Sequence, residues 1–161
     1  MATVTVTNDT LAETIEGNDI VLLDFWADWC GPCKQFAPVF DAASAENEDV
    51  VFGKVDTEAE QQLAAAAGIT SIPTLMAFRE KVMVFNQAGA LDKGSLDQLI
   101  AAVKGLDMTE VHAAVAQQQA QADAQPQQGG AQQSGGAGQQ GGDTAHRTGT
   151  TEDPANLGPL A

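Results

Sequence analysis

Two cysteines stand three positions apart in Cys30-Gly31-Pro32-Cys33, and the chain contains no others. A pair at this spacing can serve reversible dithiol–disulfide exchange, part of a zinc site, or a small structural crosslink. Zinc needs roughly four ligands, and His112 and His146 are the only histidines available to complete the set. A crosslink would staple only the segment from Cys30 to Cys33, a poor use of a disulfide in a reducing compartment. The Gly-Pro insert suits an accessible strand-to-helix turn better than an inert buried pair. Redox exchange is the chemistry that these residues suit best.

Where a helix begins, its first backbone N–H groups lack partners, and their partial positive charge favours a thiolate over a thiol. Cys30 is therefore expected to be the attacking sulfur. Pro32 fits the first helical turn because its missing N–H would have been unpaired there, and Gly31 leaves room for another polypeptide to approach. Cys33, inside the helix, is expected to be shielded and to resolve the mixed disulfide formed by Cys30.

The surrounding pattern supplies the elements that must hold this turn. Thr3 to Thr7 alternates Val and Thr as a half-buried strand, and Asn8 or Thr10 caps a helix running to Gly17. Ile20 to Ala27 is a nearly unbroken apolar run, which suits a central strand covered on both faces. Lys34 to Asn47 places Phe36, Val39, Phe40 and Ala43 at helical spacing, with Pro38 inside and expected to kink it. Val50 to Asp56 reads as a strand, and Thr57 to Ala67 as a helix ended by a left-handed Gly68. Thr74 to Arg79 and Val82 to Gln87, separated by Glu80 and Lys81, read as an antiparallel hairpin. Asp92 or Ser95 caps a helix that buries Leu96, Leu99, Ile100 and Val103, with a short amphipathic addition over 107–116. The order βαβαβαββα implies an α/β fold, a central mixed sheet flanked by helices.

From about Gln117 the composition turns to Gln, Gly, Ala and Ser, with Leu157 and Leu160 as the large aliphatics. Such a stretch buries too little apolar area to offset the entropy of ordering it. The reading is a domain over 1–116 and a disordered tail over 117–161, either a solvating extension or a partner-docking terminus around 156–160. Acidic residues outnumber basic ones 22 to 7, which argues against nucleic acid and anionic membranes as partners. The first residues lack the pattern of an export signal, and no segment approaches the roughly 18 continuous apolar residues of a membrane span. A cytoplasmic protein is expected.

Three blocks in register, 24–34 (Asp-Phe-Trp-Ala-Asp-Trp-Cys-Gly-Pro-Cys-Lys), 68–74 (Gly-Ile-Thr-Ser-Ile-Pro-Thr) and Gly89-Ala90, resemble the thioredoxin family over about residues 3 to 105. The resemblance implies a five-stranded mixed sheet and a protein-disulfide reductase acting on disulfide-containing clients. It further implies that no cofactor is bound, that electrons come from NADPH through a separate thioredoxin reductase, and that the protein is a monomer. It also implies that Asp24 is a buried carboxylate exchanging a proton near the resolving cysteine, with Lys54 as its neighbour. The residue pattern independently puts Asp24 within an apolar strand, where desolvation raises a carboxylate pKa; the alternative is an Asp facing water at the strand end. Lys54 could equally be a solvated edge charge.

By the same resemblance Pro73 follows a cis peptide bond and faces the cysteines, with the backbone of Ile72 open to an extended substrate. Trp29, Gly31, Pro32, Ile72, Pro73, Gly89 and Ala90 would line the recognition patch. Trp26, Phe36, Phe40 and Phe78 read as core. Lys81 stands where relatives often have Gly, so the hairpin turn is expected to be less tight, and Ala88 replaces a bulkier or cyclic residue. Two other functions stay open: a disulfide oxidase or isomerase, and a binding subunit that uses the fold without turnover.

Overall fold

The computed structural model describes residues 3–124. Its elements are β1 (Val4–Thr5), α1 (Leu11–Glu16), β2 (Ile20–Trp26), α2 (Gly31–Glu46), β3 (Val51–Asp56), α3 (Gln61–Ala66), β4 (Thr74–Arg79), β5 (Val82–Ala88), α4 (Lys93–Lys104) and α5 (Met108–Ala124). The strands form one sheet in the order β1-β3-β2-β4-β5. β3 pairs in parallel with both β1 and β2, whereas β4 is antiparallel to β2 and β5. The mixed five-stranded sheet expected from the sequence is present.

Both faces of β2 are covered, which is why its sequence is apolar without alternation. Ile20 and Leu22 join Phe36, Phe40, Phe52, Leu75, Leu96, Ile100 and Val103 in a core beneath α2 and α4. Val21, Leu23 and Phe25 point the other way, into a cluster with Val6, Val55, Leu63 and Met76. Phe40 stacks at a tilt on Phe36 and edge-on to Phe52, with ring centroids 5.6 and 5.0 Å apart. Phe36 and Phe40 are buried and Phe78 packs against the second cluster, as the core reading requires.

Several boundaries differ from the sequence pattern for identifiable reasons. β1 is shorter than Thr3 to Thr7 because the chain turns at Thr7, whose N–H donates to Thr10 Oγ1; the Val6 N–H still reaches the Lys54 carbonyl. Thr10 is the N-cap of α1, but its side chain accepts from Thr7 rather than from the helix. α3 starts at Gln61 instead of Thr57, since Asp56 Oδ1 first accepts the N–H groups of Glu58 and Ala59 and holds them in a turn. Gly68 ends α3 at φ +69°, and the Ile69 N–H returns to the Ala64 carbonyl. Asp92 caps α4, accepting the Ser95 N–H at 2.7 Å.

α5 continues to Ala124, past the boundary at 116. Ala and Gln are good helix formers, so a segment without large apolar residues still extends a helix already anchored at buried Met108. His112 Nε2 lies 2.6 Å from Glu80 Oε2, which ties α5 to the hairpin. Arg79 donates to the carbonyls of Val103, Lys104 and Leu106, supplying partners to the last turn of α4. Of the tail expected over 117–161, the part from 125 onward, with His146, Leu157 and Leu160, lies outside the described residues. No helix among those described is long and apolar enough to cross a membrane.

The β4–β5 turn is tight, contrary to the expectation from Lys81. Arg79 pairs with Val82 across a two-residue loop, and Glu80 and Lys81 both adopt positive φ, 47° and 71°. That conformation matches the twist of the flanking strands but crowds a Cβ. Lys81→Gly is expected to stabilise the protein by about 0.5–1 kcal/mol, read as an upward shift of the urea midpoint with unchanged slope. An unchanged or lower midpoint would mean that the turn carries no such strain.

Candidate functional site

Cys30 and Cys33 are joined as a disulfide with their Cα atoms 5.2 Å apart. Cys30 is the N-cap of α2 in extended conformation, and Gly31 and Pro32 open the first turn. The Cys33 N–H donates to Cys30 Sγ at 3.2 Å, and the Lys34 N–H reaches the Cys30 carbonyl, also at 3.2 Å. The first sulfur thus occupies the place where a capping side chain would satisfy the helix donors. The same N–H contact would stabilise a thiolate there after reduction.

Exposure does not separate the two cysteines as anticipated. Both are only 3% exposed, because Cys30 is turned toward Cys33 and covered in a small cluster with Ala27, Trp26 and Ile72. Cys30 Sγ lies 3.7 Å from the Ile72 carbonyl oxygen. The difference between them is hydrogen bonding: a backbone N–H points at Cys30 Sγ, whereas Cys33 sits within the helix.

Of the predicted patch residues, Ile72 packs against this disulfide, and Gly31 and Pro32 lie between its two cysteines. Trp29 is 70% exposed, with its indole Nε1 donating to Glu58 Oε1 at 2.9 Å. A Cβ added at Gly31 would meet no atom within 4 Å, so the approach over the turn is open. The Ile72–Pro73 bond is cis. The Pro73 carbonyl accepts the Gly89 N–H at 2.8 Å, bringing Gly89 and exposed Ala90 beside the Ile72–Pro73 segment. Gly89 has φ +109°, a conformation that L side chains rarely adopt. Ala88, opposite Thr74, ends β5 next to it. A groove of about 270 Å³ runs from Trp29 along Thr57, Ala64, Ile69, Thr70, Ser71 and Ile72.

Asp24 is fully buried on β2, and neither carboxylate oxygen has a hydrogen-bond partner. Burial pushes its pKa up from 3.8 to about 7, with the Lys54 charge opposing and the Asp41 charge adding to the rise. Lys54 is the register partner of Asp24 on β3. The water-facing alternative for Asp24 is thereby excluded, and Lys54 is a neighbour of the carboxylate rather than a remote edge charge. Trp26, expected as core, is half-buried, packs against the cysteine cluster and carries Lys54 Nζ 5.4 Å from its ring centroid.

Glu58 and Asp41 escaped the sequence reading. Each acts on a site residue far away in the chain, Glu58 on Trp29 and Asp41 on Asp24. Neither stands in a motif, and one acidic residue among 22 carries no local signal.

Raising the pKa of Asp24 links stability to pH. The protonated acid is preferred in the folded state, so this group's contribution is fully present below about pH 4 and is lost as pH rises toward about 7. The loss amounts to roughly 4 kcal/mol at about 1.4 kcal/mol per pKa unit. Asp24→Asn is expected to lack this decline. Guanidinium denaturation of both oxidised proteins from pH 4 to 8 should show the variant gaining on wild type across that window and level above it. Parallel curves would show that the carboxyl titrates as in the unfolded chain.

A profile of the thioredoxin family, described as Thioredoxin, matches residues 2–102. The chain is 56% identical over 121 residues to "Putative thioredoxin 2" of Streptomyces coelicolor, covering 75% of this chain and 90% of that one. It is 42% identical over 95 residues to a thioredoxin of Chlamydia muridarum, covering 59% and 92%. Among solved structures, a mutant thioredoxin from Halobacterium salinarum aligns with a TM-score of 0.60 at 36% identity, over 65% of this chain and 93% of that one. A thioredoxin from Malassezia sympodialis aligns at 0.57 and 33% identity, over 63% and 90%. With a helix-capping Cys30–Cys33 disulfide on the matching fold, the chain belongs to the thioredoxin family and is a thiol–disulfide oxidoreductase.

Proposed function

We propose that the protein is a general protein-disulfide reductase that maintains cellular redox homeostasis, recharged by a separate flavin-dependent thioredoxin reductase drawing on NADPH. The supporting observation is Cys30 Sγ at the N-cap of α2, held by the Cys33 N–H beneath a rim of exposed Trp29, open Gly31 and Ile72. A rim of this kind suits an extended client segment laid beside Ile72 and Pro73, with Pro32, Gly89 and Ala90 bordering it.

The reaction begins with the reduced dithiol. Cys30 thiolate attacks one sulfur of a client disulfide, forming a mixed disulfide and expelling the other client sulfur as a thiolate, which takes a proton from water. Asp24 carboxylate then accepts the Cys33 proton, and the Cys33 sulfur attacks Cys30. The bond between Cys30 and the client breaks as the Cys30–Cys33 bond forms, and the second client sulfur leaves as a thiolate. Two thiols of this chain are oxidised and one client disulfide is reduced. A carboxylate with a pKa of about 7 is present as base and as acid in comparable amounts near neutrality, which fits a group that works in both directions.

Turnover of an exposed protein disulfide with NADPH and a bacterial thioredoxin reductase should be supported by wild type and abolished in Cys30→Ser and Cys33→Ser. Cys33→Ser should still accumulate a mixed disulfide on Cys30. Inactivity of wild type beside a competent reductase would favour the binding-subunit reading. A separate expectation concerns the first step, since only thiolate attacks. Its single-turnover rate, followed by tryptophan fluorescence, should fall about tenfold per pH unit below the Cys30 pKa. A rate flat from pH 5 to 9 would rule out thiolate attack as the limiting event.

A further inference from the structure

Asp24, Trp26 and Lys54 share one face of the sheet. Asp24 and Trp26 are two apart on β2, and Lys54 is the register partner of Asp24 on the parallel neighbour β3, so all three side chains project to the same side. The charged groups acting on Asp24 are Lys54 from β3 and Asp41 from α2. From β4, bonded to the other edge of β2, the residue opposite Asp24 is uncharged Leu75.

The contribution of Lys54 depends on where its ammonium sits. A lysine head on a flexible four-carbon stem moves to water unless something holds it. Among the described residues Lys54 takes part in no ion pair; those present involve Lys93, Lys104 and His112. What Lys54 Nζ does meet is the ring of Trp26, at 5.4 Å from its centroid. This lies within the range of a cation–π contact, and indole is the strongest of the aromatic partners. The same Trp26 packs against Ala27, Cys30 and Cys33.

We infer that Trp26 is a positioning residue for proton transfer at Asp24: its ring holds the Lys54 ammonium beside the buried carboxylate. Without the ring the ammonium retreats to solvent, the carboxylate loses its counter-charge, and Asp24 stays protonated to higher pH. A protonated Asp24 cannot accept the Cys33 proton, so resolution of the mixed disulfide is delayed to more alkaline conditions. The functional consequence rests on the proposed role of Asp24 as base; the electrostatic arrangement does not.

The test is the titration of Asp24, followed by its carboxyl carbon resonance in the oxidised protein, in Trp26→Leu, Lys54→Met and the double variant. Trp26→Leu and Lys54→Met are each expected to raise the midpoint, by about one pH unit, and Trp26→Leu should add nothing once Lys54 is Met. Trp26→Phe keeps a ring of weaker cation affinity, guards against a folding defect in the leucine variant, and should give a smaller rise, also absent in the Lys54→Met background. A rise of equal size with and without Lys54, or no rise, would overturn the inference by showing that the ring acts through burial alone or not at all. In Trp26→Phe the pH profile of mixed-disulfide resolution should move to higher pH by the same amount as the midpoint. If Asp24→Asn resolves as fast as wild type, the reading of Asp24 as base fails while the titration result stands.

Discussion

Strand β2 is hydrogen-bonded along both edges, to β3 and β4, and both of its faces are covered by helices and side-chain clusters. A residue in its interior, such as Asp24, is fully buried. Aliphatic residues gain from that position, whereas Asp24 is held there without a hydrogen-bond partner. The stability that the core supplies around it offsets the desolvation of one carboxyl group. The chain holds a titratable group near neutrality where an exposed aspartate would be fully ionised. The buried carboxyl thus belongs to the sheet's centre, whereas the Cys30–Cys33 disulfide belongs to its rim.

At the rim the two sulfurs are distinguished by electrostatics rather than by access. Both are covered in the disulfide form, but Cys30 replaces a capping side chain at the start of α2 and Cys33 does not. Helix donors that need a partner find one in the sulfur, so the residue that caps the helix is also the one whose sulfur a backbone N–H faces. Pro32 and Gly31 serve this turn by withholding a donor and a side chain.

Away from the site, long-range polar contacts fasten the periphery. Arg79 at the end of β4 serves carbonyls at the end of α4, Lys104 reaches Asp49 and Asn47 beyond α2, and His112 of α5 meets Glu80 in the hairpin. These exposed or half-exposed pairs contribute little stability singly. Their role is to set where α4 and α5 run over a sheet whose core already decides the fold.

The sequence by itself determined the element order, the central strand, the redox pair and the blocks that mark the family, because each is written in short-range pattern: apolar runs, helical spacing, turn residues and a three-residue cysteine interval. It also indicated burial of Asp24, since an apolar strand flanks it on both sides. Tertiary structure alone decided that Cys30 is as covered as Cys33, that Glu58 holds Trp29, that Asp41 acts on Asp24, and that Trp26 meets Lys54. It also carried α5 on to Ala124 where composition suggested a break. Those facts depend on distances between residues remote in the chain, or on a helix being anchored at one end by packing. Neither leaves a mark on local periodicity.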